Sequence, residues 1–119
     1  MDRWQAQDTF WNSFGWSAYD ENTVPDDAAL PYITYEAVTG SIGGTMSVNV
    51  SLWDRSNSWA VISKKADDIE KGINRQIKID GGYMKIRKPA SGFARRMDDP
   101  SDARIRRIIL SVEIEFITN

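Results

Sequence analysis

Hydrophobic and polar residues alternate along two stretches of the chain. In residues 45–52, methionine, valine and leucine occupy every second position and threonine, serine or asparagine the positions between. In residues 107–116, the regularly spaced apolar residues run from Ile108 to Phe116. A period of two predicts a strand with one covered face and one face open to water or to a neighbouring subunit. The regularity of the second stretch predicts that it lies well inside a sheet.

Spacings of three and four residues predict two helices. The first covers residues 2–14, with Asp2 near its start and Gly15 after its end. The second begins at a cap formed by Ser56 or Asn57 and continues to Ile73. The apolar stripe of the first consists of Trp4, Phe10, Trp11 and Phe14, and that of the second of Trp59, Ile62, Ala66, Ile69 and Ile73.

Two further strand regions follow from β-branched and aromatic residues next to turn signals. Residues 32–38 follow Pro31 and precede the glycines at 40, 43 and 44, which predicts a strand and a loose hairpin. Residues 76–80 and 83–88 flank Gly81 and Gly82, which predicts a tight hairpin closed by those two glycines. The intervening acidic segment near 17–31 and the basic segment near 88–107 are predicted to be loops.

These elements predict one α+β domain over residues 1–119. The expected architecture is a single antiparallel or mixed sheet of about five strands, with both helices packed on one face because each has one apolar stripe. A chain of 119 residues with 41% hydrophobic residues is large enough to form one core. Three tryptophans, Trp4, Trp11 and Trp16, lie in the first sixteen residues, where they either anchor this core or form an exposed partner-binding face.

Composition restricts the chemistry that the chain can perform. It contains neither histidine nor cysteine, which excludes serine–histidine triads, thiolate nucleophiles and ordinary zinc sites. The adjacent acids Asp26–Asp27, Asp67–Asp68 and Asp98–Asp99 have neither the spacing of a calcium loop nor a placement like that of glycosidase carboxylates. We therefore expect no enzyme, no metal site and no cofactor, although an enzyme that uses carboxylates alone remains an alternative.

The charges are segregated along the sequence. Residues 85–107 contain eight of the fifteen basic residues and three acids, although the whole chain has a formal charge of −2. Residues 20–36 contain five acids and no base. The candidate basic site consists of Lys85, Arg87, Lys88, Phe93, Arg95, Arg96, Arg104, Arg106 and Arg107, and the candidate acidic site of Asp20, Glu21, Asp26, Asp27 and Glu36.

Three interpretations of the basic segment stay open: a solvated loop, a nucleic-acid contact and a subunit contact. Phe93 beside Arg95 and Arg96 has the charge and the aromatic ring for phosphate or single-strand contacts. The sequence pI of about 5.1 disfavours loose binding to free nucleic acid. Complementary acidic and basic segments are typical of a head-to-tail ring contact, and pairing within one chain is equally allowed.

The chain resembles the tail-terminator and neck-to-tail minor structural proteins of long-tailed bacteriophages. The resemblance lies in the order of elements and in the segment from Tyr19–Asp20 through Pro25–Asp26–Asp27 to Pro31–Tyr32–Ile33, followed by the helix from Trp59 to Ile73. It implies a ring, usually hexameric, that caps the tail tube and joins it to the head, with the Arg95–Arg96 loop facing a neighbouring subunit or the DNA channel.

The same resemblance implies partners and a location. The partners would be further copies of this chain, the tail tube protein and a head-completion or neck protein, with transient contact to DNA. The location would be the virion tail or neck, assembled in the host cytoplasm. No secretory signal or run of roughly 20 apolar residues is present, so no membrane contact is expected. The alternative is a small nucleic-acid-binding regulatory domain that uses residues 85–107.

Overall fold

The computed structural model describes residues 1–37, 44–90, 92–98, 102 and 104–118. Within these residues the chain forms two helices and seven strands. In chain order the elements are α1 (Arg3–Asn12), β1 (Ser17–Asp20), β2 (Tyr32–Tyr35), β3 (Thr45–Arg55), α2 (Ala60–Gly72), β4 (Arg75–Ile79), β5 (Gly82–Arg87), β6 (Ala94–Asp98) and β7 (Ile105–Thr118). The α+β class is confirmed, and the sheet has more strands than the five expected.

The strands form one mixed sheet in the order β1-β2-β3-β7-β5-β4. Among the strands of the described residues, only β1 and β2 pair in parallel. Strand β7 lies inside the sheet, as its alternation predicts: β3 pairs along one side, and β5 and β6 share the other. β5 pairs with residues 113–118 of β7 and β6 with residues 106–110, so β5 and β6 run in the same direction along one side of β7.

One face of the sheet forms the core with both helices. The alternating apolar residues of β3 and β7 are neighbours in the register, for example Val50 beside Leu110, and both of these side chains are fully buried. Phe10 and Trp11 of α1 and Ile62 of α2 belong to the same buried cluster. The two helical regions also touch, because the Lys65 ammonium donates to the Phe14 carbonyl at 2.7 Å. The prediction that both helices pack on one face is therefore confirmed.

The helix starts use different caps. Asp2 begins α1 with a capping box, in which its carboxylate accepts from the Gln5 N–H at 2.8 Å and the Gln5 side chain accepts from the Asp2 N–H. The predicted cap of α2 is wrong, because the helix begins at Ala60 and the Ser58 hydroxyl accepts from the Ala60 N–H at 3.0 Å. No helix within the described residues is long and apolar enough to cross a membrane.

The β4–β5 hairpin turns one residue earlier than its two glycines predict. Ile79 pairs with Gly82, so Asp80 and Gly81 form the two-residue turn, and Gly81 has a φ of 82°. Gly82 belongs to β5 and is needed for a different reason. A Cβ on Gly82 would lie 1.9 Å from the Ile117 carbonyl oxygen, so only glycine allows β5 to approach β7 this closely.

Both predicted loops contain strands. In the acidic segment, residues 17–20 form β1, which the four-residue length and mixed polarity conceal. In the basic segment, residues 94–98 form β6 and residues 105–107 begin β7. Arginine-rich strand sequence is tolerated there because β6 lies at the edge of the sheet, where charged side chains reach water. The glycine turn predicted after residue 38 falls largely outside the described residues.

Candidate interaction surfaces

The basic residues are divided between the two faces of the sheet. Arg95 pairs with Ile109 on β7 and Arg96 with Ile108, and adjacent residues of a strand point to opposite faces. Arg96 and Arg106 lie on the side of helix α2, whereas Arg107 lies on the open face, opposite Trp53. The predicted basic loop is therefore not one continuous surface.

On the helix side, Trp59 is the centre of the basic cluster. The guanidinium carbon of Arg96 lies 4.9 Å from the centroid of the Trp59 ring, and that of Arg106 lies 5.2 Å from it. Arg106 also donates through Nε to the Ser56 carbonyl at 3.1 Å, and Arg96 donates to the Ser63 hydroxyl at 3.4 Å. Two cations over one indole hold the start of α2 against β6 and β7.

On the open face, a second cation–π pair crosses from β7 to β3. The Arg107 guanidinium lies 4.4 Å from the Trp53 ring centroid and donates twice to the Ser51 hydroxyl, at 3.2 and 3.0 Å. The Trp53 indole N–H in turn donates to the Thr34 hydroxyl at 3.0 Å. This arrangement links β2, β3 and β7 through side chains and keeps Arg107 engaged within its own chain.

Arg87 bridges two glutamates of β7 on the same face. Its Nε lies 3.0 Å from Glu113 and its Nη1 lies 3.1 Å from Glu115. The hydrogen bond that Arg87 donates to Glu113 and the charge of Glu115 raise the pKa of Arg87 above its ordinary value, despite partial desolvation. Lys85 pairs with Glu115 in the β5–β7 register, so this part of the predicted basic site is balanced by acids.

The remaining basic candidates are more exposed. Lys88 lies 3.7 Å from Glu70 of α2, and Arg104 lies 3.7 Å from Asp102. Asp102 also pairs with Arg55. The Arg104 backbone N–H and the Arg55 guanidinium lower the pKa of the Asp102 carboxyl below its ordinary value. Phe93 is partly buried and packs against the core.

The acidic segment is partly organised by its own hydrogen bonds. The Asp20 carbonyl accepts from the Thr23 N–H at 3.0 Å, and the Pro25 carbonyl accepts from the Ala28 N–H at 3.1 Å. Glu36 accepts from the Asn49 N–H at 2.7 Å. The three other acids of the segment, Glu21, Asp26 and Asp27, are exposed. Among the described residues, no ion pair joins this segment to the basic one.

The clustered tryptophans do not share one role. Trp11 is 1% exposed and belongs to the core, whereas Trp4 is 45% exposed. Trp16 packs partly against the core, and the Lys65 ammonium nitrogen lies 5.5 Å from the centroid of its ring. The three tryptophans therefore differ in burial, with Trp11 in the core and Trp4 at the surface.

Asn12 closes the outer edge of β1. Its side-chain carbonyl accepts from the Ala18 N–H at 2.9 Å, and its side-chain amide donates to the Ala18 carbonyl at 3.2 Å. The Glu21 N–H donates to the Tyr35 carbonyl of β2. Odd-numbered residues of β1 therefore form the backbone hydrogen bonds to β2, and the backbone groups of Ala18 face outward. Asn12 thus occupies the place of a neighbouring strand. Sequence analysis missed this role because an asparagine at a helix end gives no signal of a sheet edge.

The outer edge of β6 is open instead. The Ser111 N–H donates to the Phe93 carbonyl at 2.7 Å, so in this register Arg95 and Met97 also bond to β7. The N–H and C=O groups of Ala94 and Arg96 therefore face away from β7, and no group among the described residues pairs with them. All four side chains of residues 94–97 are exposed.

A shallow groove of about 250 Å³ runs beside this edge, between β6 and α2. Its floor contains Ala66 of α2 and Ile108 of β7, and its walls include Asp67 and Arg96. Ala94, Arg95 and Ser63 complete the lining. The groove is small and mostly apolar at its base, with charges at its rim.

Comparisons with known proteins leave the family open. No family model, no curated protein and no solved structure matches the chain. Within the described residues, no group of three or more acids is arranged to hold a metal ion. The structure offers surfaces and edges, and the functional argument rests on them.

Proposed function

We propose that this protein is a structural component of a bacteriophage tail. It is a tail terminator that forms a ring on the end of the tail tube, and the resemblance implies that the ring is a hexamer. The ring caps the tube and joins it to a head-completion or neck protein. Its subunits associate head to tail, with the acidic segment of one copy against the basic side of the next.

The observation that supports this proposal is the separation of the two charged segments across the sheet. β1, which opens the acidic segment, and β6 are four strand steps apart, or about 19 Å at the usual spacing. Opposite charges on opposite sides of a subunit are complementary between copies and not within one copy. A contact of this kind is heterologous, and such contacts generate rings when the rotation closes.

Charge reversal tests the head-to-tail contact. We expect the double variant Asp26→Lys, Asp27→Lys to lose self-association, because both sides of the subunit then carry positive charge. The variant Arg95→Glu, Arg104→Glu should lose it as well. Mixing the two variants should restore it, since each acidic side again meets a basic side. An alternating ring closes only with an even number of subunits, as in a hexamer.

The control is Lys64→Glu, Lys71→Glu, which changes the charge of helix α2 and should leave the mass of the particle unchanged. The proposal fails if neither reversal alters the mass, or if the mixture remains dissociated. Undiminished binding of DNA by the Arg95→Glu, Arg104→Glu variant would also remove the nucleic-acid alternative, for which residues 85–107 were the candidate site. That site receives less support from the structure, since Arg87, Arg106 and Arg107 are engaged within the chain.

A further inference from the structure

We infer that the open edge of β6 is a strand-addition site for an extended acidic segment of another protein. The occupant would lie beside Ala94 and Arg96, pair with their outward backbone groups and place alternate side chains in the groove between β6 and α2. This assignment goes beyond the ring, because it concerns a different partner and does not depend on self-association.

The first argument is the contrast between two edges of the same sheet. At β1, Asn12 satisfies both backbone groups of Ala18. At β6, the corresponding groups of Ala94 and Arg96 have no partner among the described residues. An open strand edge is a template for another strand, and the addition of an extended segment to such an edge is a recurring mode of peptide recognition.

The second argument is charge. Arg95 and Arg96 both belong to β6, with Arg95 on the open face and Arg96 above the groove. A second β6 would bring arginines opposite arginines, and β4, whose sequence contains Arg75 and Lys78, would do the same. An incoming strand with acidic residues meets the opposite sign, so the edge selects against copies of itself and in favour of an acidic strand.

The third argument excludes the chain's own acidic segment as the strand. That segment is folded into turns by the Thr23 and Ala28 N–H groups, and the outward backbone of β1 is occupied by Asn12. A neighbouring copy can therefore offer carboxylates to the basic side but not an extended backbone to β6. The partner for the edge is a different protein.

The groove sets the pattern of side chains. Ala66, Ala94 and Ile108 offer a small apolar surface, and Asp67 at the rim disfavours acids on that side. Apolar side chains should therefore alternate with acidic ones, the apolar set in the groove and the acidic set on the open face near Arg95. The minimal probe is the capped heptapeptide Glu-Val-Glu-Val-Glu-Val-Glu.

Backbone methylation of the probe distinguishes strand addition from simple charge attraction. In an added strand only alternate amides point toward β6. A peptide methylated at its three valine amides and one methylated at three glutamate amides should therefore differ in affinity. One of the two should bind about thirtyfold more weakly, because two hydrogen bonds are lost, and the other should bind nearly as well as the unmethylated probe. Equal effects of the two peptides, or no binding of the unmethylated probe, would overturn the inference.

Three variants and one exchange measurement complete the test. Ala94→Pro removes an outward N–H without breaking the ladder to β7, so it should abolish probe binding and keep the fold; Gln76→Pro on β4 is the matched edge control. If Ala94→Pro does not fold, Ala94→Asp provides the same block by charge. Hydrogen exchange should show rapid exchange of the Ala94 and Arg96 amides in the free protein and protection with the probe. Binding without that protection contradicts the inference.

Discussion

Replacement of Asn12 by alanine should destabilise the protein through the edge of β1. The Asn12 side chain forms hydrogen bonds with the N–H and the C=O of Ala18, and Ala18 is 5% exposed. Leaving a buried backbone group without its partner costs about 1 to 3 kcal/mol, and alanine returns about 0.5 kcal/mol in helix propensity. Because water reaches part of the freed edge, we take the low end of that range for each of the two groups and expect a net loss of about 1.5 kcal/mol.

Urea unfolding followed by tryptophan fluorescence measures this loss. With a slope of about 1.5 kcal/mol per molar, the midpoint should fall by about 1 M at unchanged slope. Thr9→Ala, an exposed change on the same helix, is the control and should move the midpoint little. If the urea midpoint falls no further in Asn12→Ala than in Thr9→Ala, the assignment of Asn12 as the cap of this edge is refuted.

Two other changes test the core geometry. Gly82→Ala should lower the free energy of unfolding by about 3 kcal/mol or more, because its Cβ would lie 1.9 Å from the Ile117 carbonyl oxygen. Gly81→Ala should destabilise the protein less in thermal unfolding, because a Cβ there meets nothing within 4 Å and only the positive φ is strained. Burial, followed by the charge and hydrogen bond of Asp8, raises the pKa of Tyr35 above its ordinary value. The folded state therefore binds this proton more tightly, so stability is full below about pH 10 and falls as pH rises above it. In Tyr35→Phe the stability should decrease less above about pH 10 than in the natural sequence. Identical dependence of stability on pH in the two proteins would contradict the assignment of this effect to Tyr35.

Periodicity predicted the long elements because burial dominates their side chains. The alternation in β3 and β7 and the apolar stripe of α2 match one buried cluster. The short strands escaped prediction for the opposite reason: β1 has four residues and β6 reads Ala-Arg-Arg-Met-Asp, so neither contains an apolar period. Their positions are set by pairing with β2 and β7, which sequence alone does not reveal.

The basic site was predicted by charge, and the structure divides it by geometry. Charge counting grouped Arg95 with Arg96 and Arg106 with Arg107, whereas strand alternation sends each pair to opposite faces. Phe93 was the aromatic residue considered with Arg95 and Arg96 for nucleic-acid contacts, but the rings beneath Arg96 and Arg107 belong to Trp59 and Trp53. Distant residues become neighbours only through the sheet register, so this part of the surface required the structure.

The solution mass of the purified protein, measured by size exclusion with multi-angle light scattering at about 50 and 500 mM salt, tests the proposed ring most directly. The account predicts a discrete particle of several subunits at low salt, with partial dissociation at high salt, because the complementary surfaces are charged and exposed. A monomer of 13.5 kDa at both salt concentrations, with and without assembled tail tubes, would contradict it.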